Sequence, residues 1–92
     1  MTALRLKPQG AWEVIDIDNT LEALQSEVDG YIECVTVASD LCIIVDEEGI
    51  IKGKEANKLW GRRFYGTILL VGVNGDDFCD IPDATIELLG GI

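Results

Sequence analysis

Five consecutive apolar residues, Leu41 to Val45, and a second, largely apolar run from Thr67 to Val73 constrain this chain more than any other feature. Both are far shorter than the ~20 residues a membrane-spanning helix requires, and unbroken runs of this length suit the central strands of a sheet. A chain of 92 residues holds one hydrophobic core and should bury roughly 60 to 70% of its unfolded surface. Residues 1–92 are therefore expected to form a single domain.

Around those two strands the pattern supplies further elements. Trp12 to Ile17 reads as a strand of uncertain sidedness, and Tyr31 to Val37, rich in β-branched and aromatic residues, reads as another. Asn19 followed three residues later by Glu22 resembles a capping box, and Leu21, Leu24 and Val28 share a helical face, which predicts a helix from Thr20 to Val28 closed by Asp29-Gly30. Asp46 to Gly49 has the length of a four-residue hairpin loop, so residues 50–52 are expected to turn back beside residues 41–45. Phe64 to Val73 resumes the strand signal and ends at the turn dipeptide Asn74-Gly75. Pro82-Asp83 opens a last helix whose Ile86 and Leu89, with Ile81, face the core. The expectation is an α+β fold in the order β-α-β-β-loop-β-α, with two helices on a small mixed or antiparallel sheet of about four strands.

Several of these segments carry a resemblance. Asn19 to Gln25, Gly30-Tyr31-Ile32-Glu33, Glu47-Glu48-Gly49, Asn57, Gly66-Thr67 and Val71 to Phe78 follow one another as in a small domain family of unknown function found in bacteriophages and mobile elements of Gram-positive bacteria. The likeness extends over residues 12–89. This chain differs in having Asp46 where many relatives have asparagine, Glu55-Ala56 where a proline turn is common, and Pro82 where a serine cap is usual. The resemblance implies a phage or prophage accessory protein acting in the bacterial cytoplasm, and it transfers no catalytic residue.

The residues themselves exclude much chemistry. With no histidine, the commonest general base and metal ligand is missing. Ser26 and Ser39 lack a glycine-flanked elbow, and Gly72 to Gly75 reads as a turn, not as a phosphate cradle. Cys34, Cys42 and Cys79 form no C-x-x-C pair and read as small hydrophobes of a reducing compartment. Asn74, Asp76, Asp77 and Asp80 are close enough in sequence to share a hard cation, but their spacing does not match an EF-hand loop and they read as a solvated acidic turn. Asp16 and Asp18, with Asn19, read as a helix cap. The N-terminus lacks the apolar stretch of an export signal. A non-enzymatic protein without cofactor or metal is expected.

Charge is what remains, and it is segregated. Residues 52–63 carry Lys52, Lys54, Lys58, Arg62 and Arg63 against Glu55 alone, while the whole chain has a net charge of −10. Within this exposed, basic connection Lys54, Asn57, Lys58, Trp60, Arg62 and Arg63, with Phe64 and Tyr65, offer the donors and flat rings that a nucleotide-type ligand requires. That suggests counter-defence by sequestering a nucleotide signal. The bland reading of the same segment is a solvated loop anchored by Trp60 and Phe64. A second functional reading uses the acids Glu13, Glu22, Glu27, Glu33, Glu47, Glu48, Asp76, Asp77 and Asp80 as a DNA-mimic-like surface for a basic host protein. An acidic body argues against duplex nucleic acid as a direct partner. An exposed edge strand would leave a homodimer open.

Overall fold

The two apolar runs lie side by side at the centre of one sheet. In the computed structural model, which describes residues 1–90, the elements are β1 (Thr2–Leu6), β2 (Trp12–Asp16), α1 (Leu21–Val28), β3 (Ile32–Ala38), β4 (Leu41–Asp46), β5 (Ala56–Leu59), β6 (Arg62–Tyr65), β7 (Ile68–Asn74), β8 (Asp77–Cys79) and α2 (Asp83–Gly90). The main sheet runs β2-β1-β7-β4-β3, with β8 added to β7, and every pairing is antiparallel. Ile43 of β4 stands opposite Leu70 of β7.

Side chains alternate across a strand, so β4 and β7 each feed two cores. Cys42, Ile44, Leu69 and Val71 meet Leu24 and Val28 of α1 on one face. Ile43, Val45, Ile68 and Leu70 meet the other, where a separate hairpin of β5 and β6 contributes Leu59 and Phe64, and Ile81, Ile86 and Leu89 pack in from the C-terminal segment. Because both faces are covered, these strands need no polar side, which is why they read as continuous apolar runs.

The α+β class and the two helices agree with expectation, but the sheet is larger and differently ordered. The described chain has eight strands where about four were expected. β1 was not anticipated: its Ala3 and Leu4 are fully buried, and it joins β2 to β7. Residues 50–52 do not return beside β4. They lie in turns, and β4 takes β3 and β7 as its neighbours. The stretch from Phe64 to Val73 is broken by Gly66, at φ 95°, into the end of β6 and the start of β7. The basic connection is mostly the β5–β6 hairpin.

The first helix starts one residue later than the capping-box reading placed it. Thr20, in an extended conformation, is the N-cap and accepts the Ala23 N–H, while the Asn19 amide donates to the Phe78 carbonyl at 2.8 Å. Thr20→Ala is expected to lower the unfolding free energy by about 1 kcal/mol, read as a shift of the urea midpoint with unchanged slope. At the other end Asp29, not Gly30, takes the left-handed conformation, at φ 55°. Gly30 has a different task.

Candidate functional site

The six sequence-predicted site residues divide into two groups, because the fold draws some of them inward. Lys54 points to a buried carboxylate, Asp46, whose side chain is 1% exposed. Its Nζ lies 2.7 Å from Asp46 Oδ2, and that of Lys52 lies 3.0 Å from the same atom. Both ammoniums form ion pairs with Oδ2, while Oδ1 accepts the Glu48 N–H at 2.9 Å. Burial alone would push the Asp46 carboxyl up, but Lys54, the Glu48 N–H and Lys52 together outweigh it and hold the pKa down at about 2. The pairing with Asp46 in turn raises the pKa of Lys52.

Both lysines also serve α1. Lys54 Nζ donates to the carbonyls of Val28 at 2.6 Å and Asp29 at 2.9 Å, and Lys52 Nζ donates to Asp29 O at 2.9 Å. The last turn of α1 has no basic residue of its own. Cations from the β4–β5 connection therefore satisfy its C-terminal carbonyls and oppose the negative end of its dipole. Gly30 leaves room for this cluster, since a Cβ there would stand 2.4 Å from Asp46 Oδ1 and 2.5 Å from Lys52 Nζ.

Asn57 is likewise structural. It is 6% exposed, and its Nδ2 donates to Leu6 O at 2.8 Å and Gly66 O at 3.0 Å, which ties the base of the hairpin to β1 and to the turn before β7. Lys54 and Asn57, two of the residues expected to hold a ligand, are thus engaged inside the fold.

Lys58, Trp60, Arg62 and Arg63 stay together on the hairpin. Alternation turns Leu59 and Phe64 into the core and leaves Lys58 and Arg63 exposed, directly opposite each other in the ladder. No carboxylate among the described residues lies within ion-pair distance of Lys58, Arg62 or Arg63; the cations so paired are the N-terminus, Arg5, Lys52 and Lys54. Arg62 instead lies over the Phe64 ring, 5.5 Å from its centroid. The hairpin turn is Trp60-Gly61, both at positive φ, 51° and 75°, as a two-residue type I′ turn requires. A bulky residue is strained there, and Trp60 remains 49% exposed.

Two cavities flank the lysine cluster. An open one of about 340 Å³ lies at the C-terminus of α1, lined by Gln25, Asp29, Gly30, Tyr31, Glu48 and Lys52. The other, of about 110 Å³, runs between β3, the 46–50 turn and β6, with Glu33 and Arg63 among its lining residues. Of the six predicted residues, Arg63 alone lines either.

The family described as a domain of unknown function (DUF3846) matches residues 1–91. The chain belongs to this family. No match is found among curated proteins or among solved structures. In this DUF3846 domain no group of three or more Cys, Asp or Glu side chains among the described residues is arranged to hold a metal ion. Asp80 accepts the Thr2 N–H at 2.8 Å. The three cysteines are free, with Cys34 exposed and Cys42 buried, where desolvation pushes the Cys42 thiol up to about 11. Among the described residues no helix is long and apolar enough to cross a membrane.

Proposed function

We propose that this DUF3846 domain is a non-enzymatic accessory protein of a phage or mobile element, and that it holds a phosphate-bearing nucleotide on the outer face of the β5–β6 hairpin. One observation carries the reading. Like charges directly opposite on neighbouring strands destabilise a ladder, yet Lys58 and Arg63 face each other with no carboxylate of the described residues within ion-pair distance, in a chain of net charge −10. An anion between them would relieve the repulsion. Arg62, on the other face over the Phe64 ring, adds positive charge near the turn without facing Lys58 and Arg63, and the strained, half-exposed Trp60 offers a ring for a base. Backbone strain gathers at functional sites when the rest of the fold enforces it, and Leu59 and Phe64 anchor both arms of this turn.

The cellular purpose that fits is sequestration of a nucleotide signal of host defence. A panel of linear and cyclic nucleotides is expected to include one that raises the melting temperature, since a ligand at 100 times its Kd adds about 2.7 kcal/mol. Lys58→Ala combined with Arg63→Ala should abolish that shift and leave the unliganded melt unchanged or slightly higher. No shift with any nucleotide, together with salt-sensitive capture of a basic host protein, would favour the acidic surface instead.

A further inference from the structure

The sheet has two edges, and they differ. β2 carries Glu13 and Asp16, which engage Arg5 and the N-terminal ammonium. β3, at the opposite edge, runs from Ile32 to Ala38 with a single charged side chain, Glu33, and has neither the lysine nor the proline that commonly blunts an open edge. A bulge between Thr36 and Ala38 interrupts its register with β4. The straight part of the edge is therefore Ile32 to Thr36.

We propose that this edge pairs with the same edge of a second copy, antiparallel about a two-fold axis, to make one continuous sheet. Residues opposite each other in such a ladder must share a face, so the axis must pass through a residue position. The centre of the straight part is Cys34. That register sets Cys34 against its counterpart, Glu33 against Val35 and Ile32 against Thr36, so no like charges oppose each other. It also covers Ile32 and Val35, which are half-buried in the single chain.

The charge map favours a second copy here over a basic peptide. β3 itself carries one acid, Glu33, so it offers a basic peptide little charge to grip, whereas in the self-paired register that acid falls opposite Val35. Two chains of net charge −10 repel at range, and salt screens that repulsion. Self-association should therefore strengthen as salt is added, whereas capture of a basic peptide would weaken.

Sedimentation at increasing protein concentration tests this. The expected result is a monomer–dimer equilibrium that tightens with salt and weakens by about tenfold or more in Thr36→Lys. Thr36 is exposed, and an unchanged thermal melt at low protein concentration would show that this variant folds. Opposed residues of an antiparallel ladder place their Cα atoms about 4.5–5.5 Å apart, within reach of a disulfide. In a Cys42→Ala, Cys79→Ser background, which removes the thiol neighbouring Cys34 within the chain, mild oxidation with diamide should accordingly trap a covalent dimer that Cys34→Ser abolishes. A monomer at every concentration and salt, a dimer indifferent to Thr36→Lys, or a dimer that cannot be trapped through Cys34 would overturn the proposal.

Discussion

Gly30→Ala is expected to remove about 3–5 kcal/mol of stability, comparable to breaking a buried ion pair, although it adds only a methyl group. The new Cβ would lie 2.6 Å from Asp46 Cγ as well as against Oδ1 and Lys52 Nζ. Lys52 is a flexible side chain at 38% exposure and could swing out, but Asp46 is enclosed and held by the Glu48 N–H and Lys54. The methyl must therefore displace the carboxylate or the backbone after α1, and either movement separates Lys54 from its partners. Gly53→Ala provides the comparison. Nothing stands within 4 Å of a Cβ at Gly53, and only its φ of 72° opposes a side chain, so about 1–2 kcal/mol is expected. Urea unfolding of the two variants against the parent checks both values. Equal losses would mean that the crowding at Gly30 is relieved without disturbing the cluster.

Asp46→Ala is expected to destabilise by a similar 3–5 kcal/mol or so, for the converse reason. It leaves the Lys54 ammonium, 18% exposed, with the Val28 and Asp29 carbonyls but no counter-charge at 2.7 Å. The effect carries a pH signature whose sign follows from the depressed pKa. The Asp46 carboxyl sits at about 2 in the folded chain against an ordinary 3.8, so the unfolded chain takes up this proton first. The stability from this group is fully present above the ordinary value and is lost as pH falls from about 4 towards 2, amounting to about 2 kcal/mol. In Asp46→Ala that acid limb should flatten. A smaller slope should remain, because Arg5 also holds Glu13 below its usual range. Chemical denaturation at a series of acidic pH values measures the difference.

These two residues also show how far the sequence could be read. The central strands were legible because burial on both faces writes itself as unbroken apolar runs, as in Leu41 to Val45. The second helix was legible from Pro82-Asp83 and the spacing of Ile86 and Leu89. β1 left a fainter trace, with Leu4 and Leu6 alternating with Arg5 and Lys7, and the short runs of β5 and β6 were masked by their charges. The turn between them is Trp60-Gly61, whose first residue is not among those that usually mark a type I′ turn. The Asp46 cluster had no local signal at all. Its carboxylate lies at the end of β4, its cations six and eight residues further on, and the helix end they cap 23 to 26 residues before those cations. Only the antiparallel return of β3 onto β4, which brings Ile32 opposite Asp46, places these groups together.

The same folding divides the basic segment. A charge count along the chain treats Lys52, Lys54, Lys58, Arg62 and Arg63 alike, but two of them neutralise a buried acid and cap a helix. The other three project from a hairpin without acidic partners among the described residues. Lys52 and Lys54 precede β5 in the connection from β4, whereas Lys58 lies on β5, where alternation turns it outward and Asn57 and Leu59 inward. The candidate binding surface is accordingly smaller than the sequence implied, and it lies on a regular element.

An NMR titration of the uniformly ¹⁵N-labelled protein with the nucleotide that most raises its melting temperature tests the binding claim most directly. The account predicts saturable shifts confined to the amides of residues 58–63 and the Trp60 indole N–H, with Lys52 and Lys54 little affected. Saturable shifts centred on the cavity beside Tyr31 and Glu48, with the hairpin unmoved, would contradict it.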